Sequence, residues 1–121
     1  MKKLFVLIVV LITTLSVEAQ IADVQIFENG YVKVFDQNNR QISNGYIGSG
    51  GDILYSNCML VSISDTRYFR IYDENLRLIS SNYAGESDAT VTVAGCNIIT
   101  KGSTGYKRIY DKNLHLISSG Y

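Results

Sequence analysis

The chain has 121 residues, and its 11 basic and 11 acidic residues give a formal net charge of zero. That length suits one domain, and the balanced charge excludes the basic surface that nucleic-acid binding requires. Two cysteines and one histidine are too few for a disulfide-dense scaffold or for a structural zinc site with four ligands.

The N-terminal segment has the pattern of an export signal. Two lysines precede the apolar run 4–12, which is shorter than the roughly 20 apolar residues that a membrane-spanning helix needs. Val17 and Ala19 supply the small residues that signal peptidase accepts. We therefore predict a signal peptide over residues 1–19 and a secreted or periplasmic protein without a membrane anchor.

The rest of the chain contains one sequence unit three times. Three 16-residue segments align without gaps at spacings of 37 and 38 residues: 31–46, 68–83 and 106–121. The last two segments are identical at 12 of 16 positions. A period of this length indicates a repeat architecture. We predict a single β-repeat domain over residues 20–121, divided into three units: 20–46, 47–83 and 84–121.

Each unit has the pattern of short antiparallel strands. An aspartate that opens a turn can accept a hydrogen bond from the backbone two residues on, and an asparagine there tolerates the left-handed conformation. Such Asp-x-Asn turns begin at Asp36, Asp73 and Asp111, between β-branched and aromatic runs. We therefore predict four-stranded antiparallel meanders of about 38 residues, with eleven strands in total and essentially no helix.

The strands are apolar on both faces. Phe69 and Ile71 point one way, while Tyr68 and Tyr72 point the other. A sheet with one face in water would alternate apolar and polar residues. This pattern predicts sheets that stack like the blades of a propeller. The alternative fold is a β-trefoil, which also has three four-stranded units and closes as a monomer.

The units also resemble NHL-type propeller repeats. Segment 95–100, followed by KRIYDKN at 107–113, resembles their strand, polar loop and R-I-x-V-[FY]-D-x-[ND]-G hairpin. Leu76 and Leu114 stand where those repeats carry the turn glycine. The resemblance implies blade-like geometry. About three blades cannot close a ring, since propellers have 4–8. We therefore predict a homodimer that completes one six-bladed ring, or an open, solenoid-like stack.

One column of basic residues is the best candidate for a binding site. Each member lies between two aromatic residues on the same strand face, and a cation beside aromatic rings can hold a carboxylate, phosphate or sugar. In the competing interpretation, the rings fill the space between blades and the basic side chains extend to water. The candidate ligand-binding residues are Tyr31, Lys33, Phe35, Tyr68, Arg70, Tyr72, Tyr106, Arg108 and Tyr110.

The two cysteines, Cys58 and Cys96, occupy one repeat position, which is Ile21 in the first unit. An isoleucine equivalent indicates a buried apolar site, and equivalent points on neighbouring blades usually lie beyond the roughly 7 Å that a disulfide allows. We therefore predict free thiols. Export favours the alternative of a disulfide, which would in turn favour the trefoil.

The sequence does not predict an enzyme. His115 aligns with Arg77 and Arg40, which indicates an exposed polar position rather than a general base. The Asp-x-Asn turns lack the further carboxylates of a calcium site, and no catalytic triad or nucleophile elbow is recognisable. We predict no catalytic, cofactor or metal site. The predicted function is an exported module that binds a protein or glycan, or assembles with itself. The alternative is a lectin-like module that uses the tyrosine and arginine columns.

Overall fold

A computed structural model describes residues 20–48, 51–84, 86 and 88–121, so the predicted signal peptide at 1–19 lies outside the described residues. The described part contains eleven β-strands and one short 3-10 turn at Glu28–Gly30, with no α-helix. The all-β prediction is confirmed. None of the helical structure described here is long and apolar enough to cross a membrane.

The strands form three antiparallel sheets, and in each sheet consecutive strands pair as a meander. The first sheet has three strands: β1 (Asp23–Ile26), β2 (Tyr31–Phe35) and β3 (Gln41–Tyr46). The middle sheet has four: β4 (Asp52–Tyr55), β5 (Leu60–Ile63), β6 (Tyr68–Tyr72) and β7 (Leu78–Tyr83). The third sheet has four: β8 (Thr90–Ala94), β9 (Asn97–Lys101), β10 (Lys107–Tyr110) and β11 (Leu116–Gly120). This strand count agrees with the sequence prediction.

The middle sheet is buried on both faces. All four residues of β5 are buried. One core cluster joins Leu60 and Tyr72 of this sheet to the first sheet, through residues such as Val32. A second cluster joins Phe69 and its neighbours to Ile98 of the third sheet. The three sheets therefore pack face to face, as the two apolar faces of the strands predicted.

No strand in the described residues pairs with a strand of another sheet. A closed barrel requires hydrogen-bonded neighbours around the whole ring of strands, and that includes the strands of different units. The described part therefore contains no closed barrel. Side chains that pack between the sheets join the units, together with hydrogen bonds such as that from the Ile21 N–H to the Asn57 carbonyl at 3.1 Å.

The hairpin turns confirm the role predicted for aspartate and correct the position of the left-handed residue. The Asp73 carboxylate accepts hydrogen bonds from the backbone N–H groups of Asn75 and Arg77, both at 2.9 Å. Asp36 and Asp111 do the same in their turns. The left-handed conformation was expected at the asparagines of the Asp-x-Asn motifs. It falls one residue later, at Asn39 (φ 62°), Leu76 (φ 61°) and Leu114 (φ 59°).

The shift follows from the type of loop. The Leu76 N–H donates to the Asp73 carbonyl at 3.0 Å, which closes a four-residue turn. The two strands that this turn connects, β6 and β7, pair with a bulge, seen as a register shift between Ile71 and Tyr72. In bulged hairpins of this kind, the fourth residue of the turn adopts the left-handed conformation so that the chain can rejoin the ladder.

The prediction of free thiols is wrong, because Cys58 and Cys96 form a disulfide with their Cα atoms 5.3 Å apart. The two cysteines lie just before β5 and β9, where the first strands of the middle and third sheets, β4 and β8, are in contact. The hydroxyl of Ser56 also donates to the Gly95 carbonyl here. Equivalent points on these sheets therefore approach closely enough to be bridged. This bridge occurs between stacked sheets, without the trefoil that we expected to accompany it.

Candidate functional site

A pair of tyrosines lies across the hairpin of each sheet, and we call these the tyrosine pairs. Their ring centroids are 4.9, 4.9 and 5.0 Å apart, with the planes tilted or nearly perpendicular. Such distances and angles are favourable for aromatic contacts. Hairpin pairing brings the rings together, since Tyr31 is opposite Tyr46 and Tyr68 is opposite Tyr83. The pairs are Tyr31–Tyr46, Tyr68–Tyr83 and Tyr106–Tyr121.

Within each pair, one ring is fixed and the other is open to solvent. The hydroxyl of Tyr68 donates to Ser81 at 2.9 Å. Tyr31 and Tyr106 make the corresponding contacts with Asn44 and Ser119, at 2.9 and 3.1 Å. The second tyrosines, Tyr46, Tyr83 and Tyr121, are 75%, 67% and 90% exposed. Each pair therefore presents an exposed ring that rests on an oriented one.

A cation lies against an aromatic ring beside each pair. The Arg70 guanidinium is 4.9 Å from the centroid of Tyr68, and the Arg108 guanidinium is 5.0 Å from that of Tyr106. These are cation–π distances. In the first sheet the Lys33 ammonium lies 5.5 Å from the ring of Phe27 instead of contacting Tyr31. A cation therefore stacks on a ring of its own predicted column in the middle and third sheets, whereas the first-sheet cation stacks on Phe27, which lies outside the predicted column.

The three cations differ in their charge partners. Arg108 forms an ion pair with Glu86 at 3.3 Å, with both side chains partly exposed. An ion pair of this kind contributes little to stability and competes weakly with an external anion. Arg70 and Lys33 have no carboxylate partner within 4.0 Å among the described residues. Their charges are therefore available to a ligand.

The second aromatic residue of each predicted column, which is Phe35, Tyr72 or Tyr110, does not belong to a tyrosine pair. Tyr72 is 9% exposed and belongs to the first core cluster, where its hydroxyl donates to the Ile47 carbonyl at 3.4 Å. Burial raises the pKa of the Tyr72 phenol, an effect that the nearby Arg70 charge partly offsets. Tyr110 packs against the second core cluster, and Phe35 is half-buried on β2. Packing therefore accounts for Tyr72 and Tyr110.

Four ring residues of the site were missed by the sequence analysis: Phe27, Tyr46, Tyr83 and Tyr121. A signal for the three tyrosines was present, because each 16-residue segment both begins and ends on tyrosine. A hairpin that reverses at its central aspartate turn places its first and last residues side by side. Phe27 had no comparable signal. Its ring centroid lies 5.8 Å from that of Tyr31, which extends the first pair.

A cavity lies away from the tyrosine pairs, beside the disulfide. Its volume is about 550 Å³, and its walls carry charges of both signs, from residues such as Glu74, Arg77 and Lys112. The aspartate turn at its rim uses its carboxylate to hold its own backbone. Nowhere in the described residues do three histidine, cysteine or acidic side chains lie close enough together to hold a metal ion.

No known protein-family model matches the chain, and no curated protein is significantly similar to it. Similarity is found among solved structures. KlHsv2 with loop 6CD replaced by a Gly-Ser linker aligns with a TM-score of 0.55 at 15% identity, over 87% of this chain. The computationally designed Ika8 protein aligns with a TM-score of 0.49 at 12% identity, over 83% of this chain. The chain spans 40% and 36% of the lengths of these proteins. The likeness to KlHsv2 concerns the fold alone.

Proposed function

We propose that the protein is an exported, non-enzymatic binding module whose ligand contacts the three tyrosine pairs and their cations. One observation carries this proposal. Three exposed tyrosine rings, each supported by an oriented ring and accompanied by a cation, recur at equivalent positions of three sheets. Exposed rings contribute no core packing, whereas aromatic and cationic side chains are the residues that dominate recognition surfaces.

The three tyrosine pairs and their cations, which we together call the tyrosine row, favour a ligand that has both apolar faces and negative charge. Exposed tyrosine rings offer flat surfaces against which sugar rings or aromatic groups can stack, and Arg70 and Lys33 can bind carboxylate or phosphate. Sheets packed face to face are roughly 10 Å apart, so the three sets form a ladder with about that spacing. A polymer that reaches several sets gains affinity from multivalency. A lectin-like role toward acidic glycans is therefore the second candidate.

Two further proposals complete this picture. The stacking of three meanders supports a propeller-like arrangement of the sheets, in line with the NHL-like repeat pattern. The lysine-initiated apolar segment with small residues at 17 and 19 supports export to the periplasm or the exterior. Expression of the whole gene product in a bacterial host, followed by mass measurement, tests cleavage after Ala19. An intact N-terminus on the secreted protein would contradict it.

A glycan array that includes neutral and uronic-acid oligosaccharides tests the binding proposal. We expect hits among acidic glycans, and we expect Arg70→Ala and Tyr83→Ala each to weaken them roughly 2- to 5-fold, the effect of about 0.5–1 kcal/mol per exposed contact. Arg77→Ala removes an exposed arginine outside the row and is the matched control. An array without hits would remove the lectin-like candidate. Equal binding by all variants would remove the tyrosine row as the binding surface.

A further inference from the structure

The two outward-facing surfaces of the stack, which we call the end faces, carry complementary charges at positions that are apolar inside the stack. Where the middle and third sheets meet, Ile63 and Phe69 share a core cluster with Ile98. In the third sheet, Lys101 and Lys107 occupy the repeat positions of Ile63 and Phe69. In the first sheet, Asp23 occupies the position of Ile98. A buried apolar contact is thus replaced by two lysines at one end and one aspartate at the other.

The lysines on the end face of the third sheet are placed unfavourably for the isolated chain. Lys101 and Lys107 are directly opposite each other on β9 and β10, and both are exposed. Like charges at such a cross-strand pair are destabilising. Neither lysine has a carboxylate partner within 4.0 Å among the described residues. At the other end, the carboxylate of exposed Asp23 accepts a hydrogen bond from the Tyr55 hydroxyl at 3.4 Å and likewise has no basic partner within 4.0 Å in the described part.

The end faces also carry the donor and the acceptor of a hydrogen bond that links neighbouring sheets inside the stack. Ser43 of the first sheet donates to the Glu74 carbonyl of the middle sheet at 2.7 Å. The equivalent Ser80 donates to the Lys112 carbonyl of the third sheet at 2.6 Å. The next donor in this series is Ser118, which is exposed on β11. The corresponding acceptor is the carbonyl of Gln37, in the turn of the first sheet. One end therefore carries the donor and the other the acceptor.

Apolar residues remain around the charges. Ile99 and Ile109 of the third sheet occupy the positions of Val61 and Ile71, but they are only partly covered. Ile117 of β11 is 56% exposed. At the other end, half-buried Phe35 occupies the position that Tyr72 and Tyr110 fill inside the stack. Both end faces thus keep apolar surface that a neighbour would cover, which is where association gains its free energy.

We infer that a second copy of the chain docks head-to-tail, with its first sheet on the end face of the third sheet. Asp23 of the second copy then takes the place of Ile98, beside Lys101 and Lys107. Ser118 donates to the Gln37 carbonyl of the second copy. The same contact made reciprocally closes two chains into one ring of six sheets, since a head-to-tail interface that closes forms a ring. The end face of the first sheet is also the face that carries Tyr31 and Lys33 of the proposed binding surface. The charge-reversal test below changes neither residue, so its outcome does not depend on the proposed ligand.

The features of the two faces favour a copy of this chain over an unrelated acidic partner. An acidic partner protein would need only Lys101 and Lys107 for its binding. The presence of Asp23 and of the Gln37 acceptor at the opposite end, each at the repeat position that matches its counterpart, is accounted for by self-docking. The charges also make the contact reversible, because desolvation offsets part of the attraction and salt screens it. We therefore expect the dimer to weaken as the ionic strength is raised.

Charge reversal followed by mixing tests the inference. Asp23→Lys opposes a further positive charge to the two lysines at each junction, and the double variant Lys101→Glu with Lys107→Glu opposes two negative charges to Asp23. Each variant alone should sediment as a monomer, while the wild type at low salt sediments as a dimer. In an equimolar mixture both junctions regain opposite charges, so the dimer should return. This rescue cannot arise from misfolded chains. A symmetric dimer that used only one of the two end faces would not be lost in both variants, since each variant changes a different face.

Arg77→Glu makes the same kind of charge change in a turn of the middle sheet and should leave the dimer intact. Thermal unfolding of each variant verifies its fold. A wild-type monomer at roughly 0.1 mM in low salt, a concentration at which even weak dimers with a Kd in the micromolar range assemble, would overturn the inference. Folded variants that remain dimeric, or a mixture of folded variants that fails to dimerise, would overturn it as well.

Discussion

The left-handed leucines of the hairpin turns predict an unusual order of mutant stabilities. Leu76 has a φ of 61°, a conformation that glycine adopts freely and that other L-residues adopt at a cost of roughly 1–2 kcal/mol. Its side chain is half-buried and packs against the first core cluster. The turn therefore retains a strained residue because its side chain contributes packing.

Two substitutions at this position separate the cost of the backbone strain from the free energy gained by packing. Leu76→Ala removes the packing and keeps the strain, so we expect it to lower the free energy of unfolding by about 2 kcal/mol, at the low end for a leucine truncation because the site is half-buried. Leu76→Gly removes the same packing but relieves the strain of roughly 1–2 kcal/mol, less about 0.5–1 kcal/mol for the greater freedom of glycine in the unfolded chain. The glycine variant should therefore be the more stable by about 0.5–1 kcal/mol.

Urea unfolding followed by circular dichroism measures the difference, and Leu54 provides the control. Leu54 is also half-buried, but it lies in β4 with a negative φ. There Leu54→Gly should be less stable than Leu54→Ala by about 0.5–1 kcal/mol. A difference of this size shifts the Tm by several degrees in a domain of about 100 residues. If glycine is the worse substitution at both positions, the argument from backbone strain is refuted.

Three further predictions concern the disulfide and two titrating groups. Replacing Cys58 and Cys96 with alanine should lower the free energy of unfolding by roughly 2–4 kcal/mol, because the bridge spans 38 residues of sequence; unchanged urea midpoints would contradict this. Backbone N–H groups, chiefly that of His115, lower the pKa of Asp111, so its NMR titration midpoint should lie below the usual value of about 3.9. Its stabilising effect is present at neutral pH and is lost as the pH falls through that midpoint, and Asp111→Asn should abolish this acid dependence. The raised pKa of Tyr72 makes stability depend on pH in the opposite direction. The stability that the neutral phenol contributes is present below about pH 10 and is lost at higher pH, so Tyr72→Phe should reduce alkaline destabilisation in urea titrations.

The strands and the aspartate turns could be predicted because they depend on local sequence. Alternating apolar residues specify the strand faces, and the carboxylate of Asp73 reaches only the backbone of its own turn. The repeat reinforced this information, since three similar segments must adopt similar conformations. Burial of both faces of the middle sheet followed from the same pattern, because β5 and β6 have no consistently polar face.

The disulfide and the division of the aromatic residues could not be predicted, because both depend on distances between sheets. Sequence spacing does not reveal that the segments before β5 and β9 converge, so the Cys58–Cys96 distance was misjudged. Tyr68 and Tyr72 lie on one face of one strand, yet only Tyr72 is covered by the first sheet. How far a neighbouring sheet extends along a strand is a property of the stack and leaves no signal in a single segment.

Comparison among the three units separates residues that pack from residues that serve another purpose. Positions that face a neighbouring sheet change with their place in the stack: the buried Phe69 corresponds to the exposed Lys107. The exposed tyrosines behave differently. Tyr46, Tyr83 and Tyr121 are the same residue in every unit, although each is at least 67% exposed and burial therefore does not require an aromatic ring there. Packing explains the positions that vary. Packing does not explain the exposed aromatic position that does not vary, and this is the reason for which we propose the tyrosine pairs as the binding surface.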